Sequence, residues 1–360
     1  MNTSRDRLVA IHVAAAEYYR HMLESPVGSS PRTYLVSRHL EQCLDDPRWT
    51  VGYAPPGWTA LLTNLRERGF TDTEIAAAGL ATAARTGNLI DRFRDRLVLG
   101  IRDADGDLVG FTGRAAPHAR RDVPRYLNSP LTEIFKKGEL LFGLAEQSDR
   151  LAAGAIPVIA EGSFDVLAIA PATTEFVAVS ACGTALRQTQ VAALRRVAKT
   201  NTAAVAYDGD PAGRAASMAA YHLLAGSFEH LRAARMPDGQ DPASLAADDP
   251  AILSRALSDG GPLADVLIDH AINRHPDHAD NADARINALH EAARVIAGLL
   301  PADIPREVAR TADQLGLHHS TVSQDLAEAF SEGRVPRTRP HVRALPPSRV
   351  PGVPRVRTSH

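Results

Sequence analysis

Four short apolar runs in the middle of the chain alternate with helical patterns and end at glycine and acidic residues. The runs are residues 157–160, 176–180, 203–207 and 230–236. Helix-spaced apolar positions follow each of the first three runs over about ten residues. Short apolar strands that alternate with helices are typical of parallel strands joined by right-handed crossovers, with both sheet faces covered. The pattern predicts a central α/β module, residues 151–248, with a four-stranded parallel sheet.

The flanking patterns predict three further parts, so that the fold class is α/β in the centre and α+β overall. Residues 1–150 should form a mixed α+β subdomain, and residues 249–330, with long apolar helical faces, a C-terminal helical subdomain. Residues 331–360 are rich in proline and arginine without apolar periodicity, and we expect a disordered tail that holds nucleic acid loosely. The N-terminal elements are predicted as helices over 8–23, 31–40, 58–68 and 72–78, a strand and turn over 49–57, and a β-hairpin of 96–102 with 108–114.

Acidic residues collect after three of the four apolar runs. They are Glu161, Asp208, Asp210, Asp238 and Asp241. Because parallel sheets bind ligands at the carboxyl ends of their strands, these side chains should lie at a ligand site. Crowded carboxylates raise each other's pKa unless a cation neutralises them, and a hard divalent ion such as Mg²⁺ suits oxygen ligands. Two such ions can clamp the attacking and leaving oxygens of a phosphoryl transfer, although Asp-Gly-Asp by itself is more often a turn.

Composition restricts the function classes. Lys and Arg total 40 and Asp and Glu total 42, so the net charge of −2 leaves nucleic-acid binding to local patches. Cys43 and Cys182 are the only cysteines, too few for a disulfide framework or a Cys₄ zinc site. No apolar stretch approaches the roughly 20 residues of a membrane span, and the N-terminus has no signal-peptide pattern. The sequence predicts a cytoplasmic protein without zinc.

Basic residues are concentrated just before the acidic cluster. A solvated polar surface is the usual explanation for such arginines. The alternative is a groove for polyphosphate and template backbone, because phosphates need cations beyond the metal. The basic residues are Arg92, Arg94, Arg96, Arg102, Arg114, Arg120, Arg121, Arg125, Lys136 and Lys137.

Motifs along the chain resemble a known family. The sequence EGSFD at 161–165 with DGD at 208–210 is similar to the Toprim module of primases, topoisomerases and some nucleases. Over about residues 14–330, further motifs occur in the order of the DnaG-type bacterial primase. They are GYAP at 52–55 with Trp58, RFRDRL at 92–97, GFTGR at 110–114, YLNSP at 126–130, FKKG at 135–138 and PDGQDP at 237–242.

The resemblance implies roles for individual residues. Glu161, Asp208 and Asp210 would hold catalytic Mg²⁺, with Mn²⁺ as an alternative ion and Asp165 and Asp241 as supporting ligands. Asp165 has a second interpretation, an ordinary first-turn acid stabilised by the helix dipole. The residues that would bind nucleotide and template are Arg114, Arg125, Asn128 and Lys137.

Three departures from the family pattern bear on these roles. Arg125 stands where the family has lysine, and RHL at 38–40 stands where it has Arg-Gly-Leu, which predicts the loss of a glycine turn. The family normally begins with a zinc-binding domain, and we expect this chain to start directly at the polymerase core. Cys182 precedes a helix, so a reactive thiol is conceivable, but a small packed residue is the favoured interpretation.

Residues 311–326 have two interpretations. They resemble a helix-turn-helix with Gly316 at the turn, or they are the closing helical pair of the primase core.

The expected function is template-directed synthesis of short RNA primers on single-stranded DNA by two-metal nucleotidyl transfer. The expected partners are single-stranded DNA and ribonucleoside triphosphates, with a replicative helicase or a separate zinc-binding protein as a further candidate, and the chain is expected to be a monomer. The alternatives are a non-catalytic single-stranded-DNA-binding factor for replication or mobile-element maintenance, and a Toprim nuclease.

Overall fold

A computed structural model describes residues 3–117, 119–120, 122–183, 185–207, 211–237 and 240–333. The predicted tail therefore lies outside the described residues from position 334 onward. Its first three residues, 331–333, continue the last helix, so the predicted start of disorder at 331 is wrong.

The N-terminal half is built on a four-stranded antiparallel sheet. Its helices are α1 (Arg5–Glu24), α2 (Ser29–Ser37), α3 (Ala60–Glu67) and α4 (Asp72–Ala77). Its strands are β1 (Val51–Ala54), β2 (Ala81–Ala83), β3 (Leu89–Asp91), β4 (Arg96–Arg102), β5 (Leu108–Ala115) and β6 (Tyr126–Asn128). The sheet order is β1-β4-β5-β6, and β2 pairs with β3 separately. The predicted hairpin is confirmed as β4 and β5, with Leu97 opposite Arg114.

Helix α1 lies against strand β1 because position 52 is glycine. A Cβ atom at Gly52 would lie 2.5 Å from the Cβ of Tyr19, closer than packed atoms approach. Burial of Leu8, Ile11 and Tyr19 on the same helix face fixes α1 in this position.

Helix α2 ends at Ser37, three residues before the predicted end. The amide of Leu40 donates to the carbonyl of Leu35 at 2.9 Å, and His39 has a φ of 52°, in the left-handed region. This is the geometry of a helix end that usually contains glycine. The predicted loss of a glycine turn is therefore wrong, because the turn is kept with histidine in the glycine position.

The central sheet confirms the predicted four parallel strands. The elements are α5 (Ser148–Ala152), β7 (Ile156–Ala160), α6 (Ser163–Ala172), β8 (Phe176–Ser180), α7 (Gln188–Val197), β9 (Thr202–Ala206), α8 (Pro211–Ala225), β10 (His230–Ala233), α9 (Pro242–Asp248), α10 (Pro250–Ser258) and β11 (Gly261–Pro262). The order is β11-β10-β9-β7-β8, with β7 to β10 parallel. The edge strand β11, antiparallel to β10, was not predicted.

Helices cover both faces of this sheet, as the strand pattern predicts. On one face α6, α9 and α10 pack against Val158, Ala178 and Ala204. On the other face α7 and α8 pack against Ile159 and Val205, the neighbouring positions of the same strands. The alternation follows from the two-residue period of a strand, whose successive side chains point to opposite faces.

Four helices complete the second face. They are α11 (Leu263–Asn273), α12 (Ala282–Ala297), α13 (Ile304–Leu315) and α14 (His319–Gly333). Leu315, Val322 and Leu326 are buried in the same core as α12, and Gly316 makes the turn with a φ of 63°. Both interpretations of residues 311–326 share this packing, so each stays a prediction. Among the described residues, no helix is both long and apolar enough to cross a membrane.

Candidate active site

A cleft of about 270 Å³ lies between the carboxyl edge of the parallel sheet and strands β5 and β6 of the antiparallel sheet. It brings together six of the nine predicted site residues from distant parts of the sequence. These six are Glu161, Asp165, Asp241, Arg114, Arg125 and Asn128.

Glu161 reaches the cleft because it follows the last residue of β7. Ala160 pairs with Ala206 at the end of β9, so Glu161 and Tyr207 are the next residues of adjacent parallel strands. Burial raises the pKa of the Tyr207 phenol, and the negative charge of Glu161 raises it further. Asp208 and Asp210, which follow Tyr207, lie outside the described residues, as does Asp238.

The two carboxylates that were predicted as supporting ligands, Asp165 and Asp241, accept hydrogen bonds from backbone N–H groups. Asp165 is buried in the first turn of α6, where its Oδ2 accepts a hydrogen bond from the amide of Gly162 at 3.0 Å. Asp241 caps α9, since its Oδ1 accepts from the amide of Ser244 at 2.6 Å. Asp165 therefore acts as a helix-capping acid and also lines the cleft.

The chemistry of these donors suits a hard divalent ion, because carboxylate oxygens are the ligands that Mg²⁺ and Mn²⁺ prefer. Within the part of the chain that the structure describes, no group of three or more His, Cys, Asp or Glu side chains is arranged to hold a metal. A complete metal site would thus need the Asp-Gly-Asp residues at 208–210.

Arg114 is surrounded by aromatic rings. Its guanidinium carbon lies 4.9 Å from the ring centres of both Tyr34 and Phe164, and 5.4 Å from that of Tyr126. It also donates a hydrogen bond to the Tyr126 hydroxyl. Arg125 lies 5.8 Å from the same Tyr126 ring. Cation–π contacts of this kind hold a guanidinium in place while its edge stays available to an anion.

Asn128 and Lys137 hold the loop that follows β8. The Asn128 Nδ2 donates to the Cys182 carbonyl at 2.8 Å, and the Lys137 Nζ donates to the Gly183 carbonyl at 3.2 Å. Lys137 therefore lies at the rim of the cleft, while Asn128 lines it. The Cys182 thiol is buried, and burial raises its pKa to about 12, which agrees with the packed interpretation rather than a reactive thiol.

Several of the other predicted basic residues have structural partners. Arg92 donates to the Asn128 carbonyl at 2.6 and 3.0 Å, and the buried Arg96 donates to the Gly113 carbonyl at 3.2 Å. Arg102 donates to the Gly106 carbonyl at 2.8 Å. The basic region is thus neither one solvated surface nor one phosphate groove, because these three arginines satisfy backbone carbonyls. Arg121 lies outside the described residues.

Sequence reasoning gave no role to three residues that shape the cleft. Arg38 lines it and forms an ion pair with Asp241 at 3.4 Å, and Tyr34 and Phe164 complete the aromatic cage of Arg114. All three lie in or beside segments that carry family motifs, and this was the one sequence signal that could have marked them as site residues. Their spacing along the chain does not show that they meet.

Comparisons with known proteins agree with this fold. Residues 18–148 match the DNA primase catalytic core, N-terminal domain, and residues 158–246 match a Toprim-like family. A DNA primase of Streptomyces coelicolor is 35% identical over 322 residues, which are 87% of this chain and 49% of that protein.

Solved structures agree as well. The RNA polymerase domain of Mycobacterium tuberculosis primase DnaG, crystallised with double-stranded DNA, matches with a TM-score of 0.75 and 32% identity over 88% of this chain and 100% of that chain. A DnaG primase catalytic domain bound to single-stranded DNA matches with a TM-score of 0.67 and 29% identity, over 88% of this chain and 98% of that one.

The parallel sheet with its acidic carboxyl edge is thus a Toprim-like module, joined to a primase-type N-terminal sheet. The chain belongs to the DnaG-type DNA primase family, whose catalytic core it matches. It spans about half the length of the curated relatives it matches.

Proposed function

We propose that this chain synthesises short RNA primers on single-stranded DNA from ribonucleoside triphosphates. The observation that carries the proposal is the cleft, which is lined both by Glu161 at the sheet edge and by Arg114 and Arg125. Nucleotidyl transfer needs carboxylates for metal ions and cations for phosphates in one place. The relatives are named DNA primase, and related catalytic domains have been solved with DNA bound.

Glu161, Asp208 and Asp210 would hold the divalent ions, with Asp165 and Asp241 as supporting ligands. We favour Mg²⁺ over Mn²⁺, because it suits all-oxygen sites that are completed by water and phosphate. When bound, the ions supply Lewis-acid activation of the attacking hydroxyl and neutralise charge on the triphosphate.

The basic residues would bind the anionic ligands. Arg114 is held by three rings, so little side-chain entropy is lost when its guanidinium binds a phosphate. Arg114 and Arg125 together form the basic wall of the cleft. Asn128 and Lys137 position the loop at 182–183, which lines the cleft beside this wall. Arg38, through its ion pair with Asp241, would orient that carboxylate.

We assign these roles within four parts of the chain. Residues 1–150 would carry the basic wall, residues 151–248 the acidic edge, and residues 249–330 a supporting helical layer. Residues 331–360 would be a cationic tail. A further proposed partner is a replicative helicase or a separate zinc-binding protein. We also propose that the chain is a monomer and that it acts in the cytoplasm.

The test is incorporation of labelled ribonucleotides on single-stranded DNA with Mg²⁺ or Mn²⁺. Glu161→Gln removes one charge at the carboxyl edge and should reduce incorporation by at least about 100-fold, because the lost interaction acts mainly in the transition state. The matched control is Glu175→Gln, an exposed glutamate that precedes β8 at the opposite edge of the same sheet. It should retain wild-type activity.

Three outcomes would contradict the proposal. Wild-type incorporation by Glu161→Gln would show that Glu161 does not hold a catalytic metal ion. Binding of single-stranded DNA without incorporation under either ion favours the non-catalytic binding factor. Degradation of the labelled DNA in place of synthesis favours the nuclease.

A further inference from the structure

A second cavity, lined by three arginines, lies on the face of the parallel sheet that helices α11 to α14 complete. It has a volume of about 400 Å³ and lies between α8, α11 and α12. The arginines are Arg214, Arg274 and Arg294, and Glu291 is the one acidic residue that lines the cavity in the described part of the chain. Glu291 pairs with Arg274 at 3.1 Å. The cavity is thus a cationic surface on a chain whose net charge is −2.

The three arginines come from three separate elements and surround one space. Arg214 lies in the first turn of α8, Arg274 directly follows α11, and Arg294 lies in the last turn of α12. Among the described residues, no aromatic ring lines the cavity, which therefore offers charge and no stacking surface. Guanidinium groups bind phosphate oxygens through paired N–H donors, so this arrangement suits a compact ligand with several phosphates.

The cavity continues toward the carboxyl edge of the parallel sheet. A smaller cavity of about 200 Å³ adjoins it, and the two share Arg214 and Leu267. The smaller cavity extends to Tyr207 and Arg235, which follow strands β9 and β10. Tyr207 is the neighbour of Glu161 in the register of the strands, and Glu161 lines the cleft. The two cavities together, which we call the arginine groove, therefore connect the carboxyl edge with the C-terminal helices.

We infer that the arginine groove binds the 5′-triphosphate end of the RNA primer. In primer synthesis the 3′ hydroxyl of the strand attacks the α-phosphorus of the incoming nucleotide, and pyrophosphate leaves from that nucleotide. The first nucleotide therefore keeps its triphosphate, whereas every later position carries a single phosphate. The compact set of arginines matches this end better than it matches a row of single phosphates. The inference rests on the proposed function, which supplies the triphosphate end.

Binding of short RNA to the full chain tests the inference. Oligouridylates with a fluorescent label at the 3′ end and either a 5′-triphosphate or a 5′-hydroxyl are compared by anisotropy. The wild type should bind the triphosphate form about tenfold more tightly, as expected for additional charge-assisted hydrogen bonds. The preference should shrink as salt rises, because it is electrostatic.

Matched arginine variants locate the preference. Arg274→Gln combined with Arg294→Gln removes two charges from the groove and should reduce the preference to about twofold or less. Both side chains are exposed, so this double variant should melt close to the wild-type temperature. The control Arg255→Gln removes an exposed arginine from α10, on the opposite face of the sheet, and should keep the full preference. Arg114→Gln should keep it as well, because that charge belongs to the cleft.

Competition with ATP identifies the source of the triphosphate. Unlabelled 5′-triphosphorylated RNA should displace the labelled form at about one tenth or less of the ATP concentration that does so, because only RNA has further phosphates that can reach Arg235. Equal potency would make the groove a site for free nucleotide and would contradict its assignment to the primer.

The inference is overturned if the wild type binds both RNA forms equally, if the double variant keeps the preference, or if Arg114→Gln abolishes it. The proposed function fails separately. A wild-type chain that selects the triphosphate form but incorporates no nucleotide contradicts primer synthesis and keeps the groove as a site for triphosphorylated RNA. Active synthesis with equal affinity for both RNA forms contradicts the groove alone.

Discussion

At the scale of single residues, His39 holds a conformation that favours glycine, next to the cleft residue Arg38. Its φ of 52° places a Cβ atom in the left-handed region, which costs about 1–2 kcal/mol for a residue other than glycine. Its side chain is exposed. The turn is therefore kept by its neighbours, through the bonds that close α2 and through burial of Leu40.

His39→Gly should consequently raise the free energy of unfolding by about 0.5–1 kcal/mol. Relief of the backbone strain stabilises the folded chain, and the extra conformational entropy of glycine stabilises the unfolded chain. The first effect on the free energy is the larger one. Denaturant unfolding measures the change, and His39→Ala is the control, because alanine removes the imidazole but keeps the strain. Equal stability of the two variants would show that the backbone conformation is not the cause.

His12 predicts a pH dependence of stability. It is completely buried, with its Nδ1 donating to the carbonyl of Leu8 at 2.7 Å, and burial lowers its pKa from 6.5 to about 4. Between these two pH values the unfolded chain binds a proton that the folded chain does not. The free energy of unfolding should therefore fall as pH drops from 6.5 to 4, by about 3 kcal/mol from this residue.

Denaturant unfolding at pH 7, 5 and 4 checks the dependence on His12. Other groups also titrate in this range, so the comparison is with His12→Leu, which cannot bind a proton. The variant should lose less stability than the wild type on acidification. Parallel pH profiles of the two proteins would assign the acid sensitivity to other residues.

At the scale of elements, the sequence predicted the parts whose patterns are local. The four parallel strands and the hairpin of β4 and β5 follow from apolar runs and turn residues, and the structure confirms them. The strand β11 has two residues, Gly261 and Pro262, and a pair of residues has no period to detect. The predicted end of α2 was three residues too late, because the sequence does not show that a histidine will adopt the left-handed conformation that ends the helix.

The candidate site was predictable only in part. Glu161, Asp165 and Asp241 stand directly after strands or at helix starts, so their shared edge follows from topology. The aromatic cage of Arg114 comes from α2, β6 and α6. No local pattern relates these elements, because the packing of the two sheets brings them together.

Helix α6 allows the two interpretations of Asp165 to be separated. Asp165→Ala removes the acceptor for the Gly162 amide and should lower the free energy of unfolding by about 1 kcal/mol. Asp165→Asn keeps an oxygen acceptor there and should stay within a few tenths of a kcal/mol of the wild type. Thermal unfolding and nucleotide incorporation are measured on both variants.

A folded Asp165→Asn protein that has lost incorporation would show a role for the charge beyond capping, as expected for a metal ligand. Wild-type incorporation in the same variant would contradict a metal-ligand role for Asp165. The pair of variants decides the question because the amide keeps the shape of the side chain and removes its charge.

At the scale of the whole molecule, the cleft depends on one core that both sheets share. Leu97 and Ile101 of the antiparallel sheet are buried in the same cluster as Val158 and Ala178 of the parallel sheet. Phe142 lies at this junction, with its ring 5.5 Å from that of Trp49 and its backbone paired with Ser180. The relative position of the acidic edge and the basic wall should thus depend on packing at Phe142.

Phe142→Leu should therefore affect activity through geometry. It should lower the free energy of unfolding by roughly 1–2 kcal/mol, as moderate core substitutions do, and should also reduce incorporation per folded molecule.

The matched control is Phe228→Leu, another buried phenylalanine, in the core on the opposite face of the parallel sheet. It should cost similar stability and leave incorporation unchanged, because it supports neither wall of the cleft. Denaturant unfolding and incorporation below the unfolding transition measure both effects, and equal losses of activity in the two variants would contradict a specific role for the junction.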